Sequence, residues 1–285
     1  MRLIWHDYLN ELRGPALIGP GLNTRLPGWL RPVLHYLFTT LRYVSIYFFF
    51  KPLAWLILHT ISDLKVRGLE NLPTEGGYVG TWNHLSNFDP MVGTLCSPRP
   101  PYVMTKAEYF KTPILGGVAS ILGGFPVRRG EADRQAVKTA LAVVKRKQLL
   151  GIYPEGTRSK TYQLQEAHPG AAMISSSSSA TVIPIGLCGT ENIMRRKKFG
   201  FLKRPRIEVS IGPAYNLKET AAAFALEHGL VAGGKRGRHE DLEFLSDVMM
   251  LKIAEQLPTE YRGHFTPESI AERYRNRLEQ KRVAQ

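Results

Sequence analysis

Four short clusters in this sequence combine residue types that can move protons or hold anions. The first, Asn83-His84-Leu85-Ser86-Asn87-Phe88-Asp89-Pro90, directly follows an apolar strand. A residue before proline is kept out of the helical region, and proline favours the first helical position, so Asp89 is expected to cap a helix. If the loop folds back, Asp89 accepts a hydrogen bond from one imidazole nitrogen of His84. The other nitrogen is then unprotonated and can act as a general base. The plainer alternative is an ordinary cap beside a loop histidine, and a His/Asp spacing of this kind does not by itself separate the two.

The second cluster, Gly123-Gly124-Phe125-Pro126-Val127-Arg128-Arg129-Gly130, sets two arginines at a strand end beside glycines. Guanidinium forks match phosphate oxygens there, although by itself the pair is better explained as a solvated loop. The third, Tyr153-Pro154-Glu155-Gly156-Thr157-Arg158-Ser159, follows a buried strand, where open α/β folds bind ligands. Arg158 could hold a phosphate, and Glu155 could bond an acceptor hydroxyl or brace Arg158. The fourth, Val182-Ile183-Pro184-Ile185-Gly186, reads as core packing on chemical grounds.

The elements around these clusters alternate. Strands are expected at 64–67, 77–81, 102–105, 125–127, 149–153, 181–187 and 206–211, and the last alternates like an edge strand. Helices are expected at 90–95, 113–122, 131–146 and 169–177. Such alternation predicts an α/β fold with a mostly parallel central sheet flanked by helices. From Lys218 onward the chain reads as helical, interrupted by a Gly/Lys/Arg-rich loop at 229–239. Three regions follow: 1–62 as a membrane-associating segment, 63–217 as the α/β core, and 218–285 as a helical extension.

The start lacks the pattern of a secretory signal. An apolar run from Val33 to Phe50 is broken by Lys51-Pro52 and resumes to Ile61. Arg42 at mid-run opposes a spanning helix, and Pro52 is expected to end or kink the first helix. An N-terminal interfacial helical hairpin is therefore predicted, lying in one leaflet and anchored by aromatic residues.

Thirty-eight Lys and Arg against 24 Asp and Glu leave a formal charge of +14, which favours anionic partners such as an anionic membrane face. No helix-turn-helix, zinc spacing or stacking-aromatic pattern points to nucleic acid. Cys96 and Cys188 are far apart, so a disulfide framework is not implied and a reducing compartment is expected.

Taken in order, the four clusters resemble the lysophosphatidic acid acyltransferase family, the 1-acylglycerol-3-phosphate O-acyltransferases. That family shows Asn-His-x-x-x-x-Asp, a Gly-x-Phe-x-Val-x-Arg block, Phe/Tyr-Pro-Glu-Gly-Thr-Arg-Ser and a Val/Ile-Pro-Ile/Val strand. Leu64 to Pro73 is similar to its opening strand, and Met249 to Gly263 to the tail of many bacterial members.

The resemblance implies transfer of a fatty acyl group from acyl-CoA or acyl-carrier protein to the 2-hydroxyl of 1-acylglycerol-3-phosphate, giving phosphatidic acid at the cytoplasmic face of a membrane. It implies His84 as base and Asp89 as its orienter. Lys106, Arg128, Arg129, Glu155, Gly156, Thr157 and Arg158 are implied as substrate-binding, with no metal and no other cofactor. Arg128 stands where members often carry Asp. His168, in Ala167-His168-Pro169-Gly170, stands where members often carry Lys, which leaves room for another lysophospholipid or lipid-linked acceptor. A non-catalytic basic membrane-binding protein is the alternative outside enzymology.

Overall fold

A computed structural model of the chain describes residues 30–130, 133–195, 204–230 and 238–283. The basic run Arg196-Lys197-Lys198, most of the 229–239 loop and the polar start before Leu30 lie outside the described residues. The chain divides into two compact units. One comprises the chain to Ile61, Leu72–Tyr78 and Pro90–Gly151; the other comprises Ser62–Asn71, Val79–Asp89 and Ile152 onward.

The first unit begins with helix α1 (Leu30–Val44), which passes through a π-helical segment, Ser45–Phe50, into α2 (Lys51–Ile61). The expected hairpin does not form, because the chain stays helical through Pro52. The amide of Lys51 bonds the Ile46 carbonyl, five residues back. That widened turn takes up the missing proline N–H without a break. Side chains hold the helix in place: Tyr47 Oη and Lys51 Nζ bond the carbonyls of Pro98 and Ser97 at 2.8 and 2.5 Å.

Arg42 is fully buried, with Nη2 bonding the Pro100 and Pro101 carbonyls at 3.0 Å and the guanidinium 4.0 Å from the centre of the Tyr102 ring. The opposite side of the helix exposes Leu37, Leu41, Phe48, Trp55 and Leu56. Thus the mid-run arginine serves tertiary anchoring and does not interrupt the outer apolar face. The helix from Val33 to Ile61, at 29 residues, is long and apolar enough to cross a membrane by length and composition.

The same unit carries β3 (Tyr102–Lys106), β4 (Gly124–Val127) and most of β5 (Leu149–Ile152), in the order β5-β3-β4, with β3 parallel to both neighbours. Helix α4 (Pro113–Ile121) packs on β4 and on α1, and α5 (Arg134–Lys145) covers β3 and β4. Asp133 caps α5 by accepting from the amides of Gln135 and Ala136.

The second unit orders β1 (Asp63–Arg67), β7 (Arg206–Ile211), β6 (Thr181–Cys188) and β2 (Tyr78–Trp82) as β1-β7-β6-β2. Strand β7 is parallel to β1 and antiparallel to β6. It is therefore interior, not the edge its alternation suggested. The alternation records one buried face and one less covered face, not an unpaired side. Helices α6 (Pro169–Ser178), α7 (Leu217–Glu227) and α8 (Arg238–Ala254) pack together, and α8 also lies against β6 and α9 (Pro267–Val283). The seven strands and their helices make an α/β fold with a mainly parallel sheet.

Candidate active site

The turn after β2 leads into α3 (Asp89–Cys96), and the second unit gathers around it the residues that carry chemistry. Asp89 is fully buried. Its Oδ2 accepts from His84 Nδ1 at 2.7 Å and from the amides of Leu85 and Ser86 at 2.6 and 2.7 Å. Its Oδ1 accepts from the Thr190 hydroxyl at 2.6 Å. The carboxylate thus turns back onto the loop, correcting the expectation that it caps the helix: both its oxygens are taken by loop and strand-end donors. With Nδ1–H donating to Asp89, the lone pair of His84 lies on Nε2, and 11% of the histidine side chain stays exposed.

The backbone of His84 is held on both sides. Its amide donates to Glu155 Oε1 at 2.8 Å, and its carbonyl accepts from the Ser159 amide at 2.8 Å. The other Glu155 oxygen accepts from the Gln165 amide at 3.1 Å. Glu155 is therefore a strut that shapes the loop, rather than a group turned toward Arg158 or toward an acceptor. Burial pushes its carboxyl up to about 7, against the pull of the amides that donate to it. The Tyr153 ring lies 4.3 Å from the imidazole, centre to centre, and burial together with the Asp89 charge raises its hydroxyl well above the ordinary value.

Gly156 adopts φ +65°, and a Cβ there would sit 2.5 Å from His168 Cδ2. Glycine at this position answers a turn and a close approach. Beside it, Arg158, Thr157, Lys160, Ser86, Tyr162 and Glu191 line an open pocket of about 360 Å³. Arg158, Thr157 and Lys160 are exposed, so their polar ends remain available.

Lys106, Arg128 and Arg129 belong to the first unit. Lys106 ends β3 and pairs with Glu108 at 3.5 Å. Arg128 meets Asp133 through its side chain at 3.5 Å and its amide at 3.0 Å, and Arg129 is exposed.

Four residues escaped the sequence reading. Asn83 bonds both the amide and the carbonyl of Leu187, at 2.7 and 2.8 Å, tying the end of β2 to β6. Its place next to His84 was the available signal. Thr190 and Lys160 had none beyond proximity to the third and fourth clusters. Tyr261, in the tail stretch, bonds Glu191 at 2.8 Å, and its carbonyl accepts from the Leu164 amide.

Residues 63–188 match the family model described as Acyltransferase. This part of the chain is thus similar to that family. A chloroplastic 1-acyl-sn-glycerol-3-phosphate acyltransferase of Brassica napus is 32% identical over 177 residues, covering 60% of this chain and 51% of the relative. The 1-acyl-sn-glycerol-3-phosphate acyltransferase of Bacillus subtilis is 29% identical over 149 residues, covering 52% of this chain and 73% of the relative. The chain thus spans about half the length of the first of these. The crystal structure of the lysophosphatidic acid acyltransferase of Thermotoga maritima shares the fold, with a TM-score of 0.53, 19% identity and coverage of 89% of this chain and 94% of that one. The matched segment contains the first three clusters entire and ends with β6, which holds the fourth.

Proposed function

We propose that the chain transfers a fatty acyl group from acyl-CoA or acyl-carrier protein to the 2-hydroxyl of 1-acylglycerol-3-phosphate, yielding phosphatidic acid. The observation that carries this is the His84–Asp89 pair, with the carboxylate fully buried and 11% of the histidine side chain exposed, inside the segment that matches the acyltransferase model. His84 Nε2 takes the acceptor hydroxyl proton as the oxygen attacks the thioester carbonyl. The tetrahedral intermediate collapses by breaking the carbon–sulfur bond, and the imidazolium returns the proton to the leaving thiolate. The products are the ester and a free thiol.

Asp89 supplies the negative charge that steadies the imidazolium. Arg158 and Lys160, exposed in one pocket, hold the acceptor phosphate, with Arg158 as the fork and Lys160 as a point charge. Lys160 thereby answers the basic residue absent at His168. Lys106 serves the thioester, Arg129 adds to anion binding, and Arg128, engaged with Asp133, has the smaller share. Residues 63–217 form the catalytic core and 218–285 a helical extension.

The segment within 1–62 seats the enzyme on the cytoplasmic leaflet of an anionic membrane. Supporting this are the exposed Leu37, Leu41, Phe48, Trp55 and Leu56 and, on the adjoining α4, Ile114, Leu115 and Val118. Both a lipid acceptor and a soluble donor reach an enzyme so placed.

The test offers labelled acyl-CoA and acyl-carrier protein to the purified protein, with a panel of lysophospholipid acceptors in vesicles. Labelled phosphatidic acid from the glycerol phosphate acceptor is the expected product. Transfer only to other acceptors would replace the substrate, and no transfer to any would refute the reading.

A further inference from the structure

We propose that Thr190 is a positioning residue for the His84–Asp89 pair, its hydroxyl fixing the rotation of the Asp89 carboxylate and through it the aim of the imidazole. The kinetic consequences rest on the acyl-transfer reading above; the geometric claim does not.

Among the described residues, four donors meet the Asp89 carboxylate. Three reach Oδ2, all from the loop that carries His84: its own Nδ1 and the amides of Leu85 and Ser86. Among the described residues only the Thr190 hydroxyl reaches Oδ1, at 2.6 Å, and both residues are fully buried. Water does not reach Oδ1 in this setting, so without the hydroxyl a charged oxygen is left without a donor. The carboxylate would then rotate or shift toward its remaining donors. The imidazole hangs from that carboxylate by a single bond, and it would follow.

The chain is shaped to bring Thr190 to this place. Strand β6 ends at Cys188, and Gly189 turns with φ +87°, where a Cβ would lie 2.0 Å from the Arg206 carbonyl oxygen. No side chain fits there, so the tight turn is confined to glycine. The Asn192 amide closes the turn on the Gly189 carbonyl at 3.1 Å. One residue before Cys188, Leu187 is clamped through both its backbone groups by Asn83. The end of β6 is thus tied on one side to the residue preceding His84 and on the other to the carboxylate that His84 bonds. Small displacements of either tie would move the base.

The residue type fits the task. Threonine is stiff at its first side-chain torsion, so its hydroxyl direction is set by the backbone. Valine has nearly its shape without the donor, serine keeps the donor without the methyl, and cysteine offers only a weak one.

Full-length Thr190→Val, Thr190→Ser and Thr190→Cys separate donor from shape. Acyl transfer would be measured across pH with kcat and KM resolved. The imidazole of His84 would be titrated by NMR, its resonance identified by loss in His84→Ala. Thr190→Val should lose kcat by about ten- to hundredfold, the scale of a lost hydrogen bond to a charged group, with KM little changed. Its His84 titration should shift, Thr190→Ser should stay close to wild type, and Thr190→Cys should fall between.

Unchanged kcat and titration in Thr190→Val would overturn the assignment. So would a serine variant as impaired as the valine one, or a loss confined to KM. Should valine prevent folding, the order of serine above cysteine decides the same question. If the wild type transfers no acyl group, the reaction assigned above fails, while the titration still tests whether Thr190 aims the imidazole.

Discussion

Asp89→Asn removes a charge while keeping nearly every contact that surrounds it. The amide oxygen can take the place of Oδ2 and still accept from His84 Nδ1, Leu85 N and Ser86 N, which lie at 2.6 to 2.7 Å. The amide nitrogen then faces the Thr190 hydroxyl, which turns from donor to acceptor. No helix cap is lost, because the carboxylate caps none. The stability change should therefore stay near 1 kcal/mol, a melting shift of about 2–4 °C for a domain of this size. Catalysis should suffer far more. An imidazolium and a carboxylate with charge centres about 4 Å apart attract by about 4 kcal/mol at an effective dielectric near 20, a barrier change of about 10³-fold. Steady-state acyl transfer and thermal melting on the same preparation test both halves. A kcat within a few fold of wild type, with the fold intact, would refute the role of the Asp89 charge.

Glu155→Gln cannot satisfy the donors from both His84 and Gln165, so one amide group will face another; kcat should drop about tenfold with KM little changed. The native carboxyl titrates near 7 in the fold, against an ordinary value of 4.5. The folded state therefore holds its proton over a range where the unfolded state has released it. Stability is fullest below 4.5 and falls by about 3 kcal/mol as pH rises to 7, and Glu155→Gln should flatten that slope in denaturation across pH. An effect on KM alone would return Glu155 to substrate contact. Arg158→Lys should raise acceptor KM by about tenfold, since a point charge cannot replace the fork; unchanged acceptor kinetics in Arg158→Ala would remove it from phosphate binding. Ile114→Asp with Val118→Asp should weaken vesicle flotation without lowering the melting temperature, because both side chains are half-exposed or more; undiminished flotation would exclude α4 from the membrane face.

The strands and the first clusters were legible because they obey local rules. Continuous apolar runs marked β5 and β6, and the order of the clusters pointed to the family whose model residues 63–188 match. What escaped depends on contacts distant in sequence. Pro52 lies in unbroken helix because a π-helical turn and bonds to residues 97–101 hold the chain, and no local signal announces either. Arg42 read as an obstacle to membrane burial because sequence does not say which side of a helix finds Tyr102 and two carbonyls. The alternation of β7 was seen correctly, yet alternation reports how faces are covered and says nothing of neighbours within a sheet. Thr190 became visible only when β6 and the His84 loop were placed together, and the same placement gave Asn83 its role.

These contacts also redistribute the roles within the third cluster. Glu155 and Ser159 are buried and bond the backbone of His84 on its two sides. Thr157, Arg158 and Lys160 are exposed around the pocket. A carboxyl group whose oxygens are spent on internal amides is not free to recognise a substrate, and a side chain in solvent does little to aim a base. On the acyl-transfer reading proposed above, burial divides the segment into residues that set the position of His84 and residues that would meet the acceptor. Substitutions in the first group should act on kcat and those in the second on acceptor KM. Neighbouring positions such as Glu155 and Arg158 should then differ in kind. A shared kinetic signature across both would mean that the loop moves as one body on binding, and that the division drawn from burial does not describe its work.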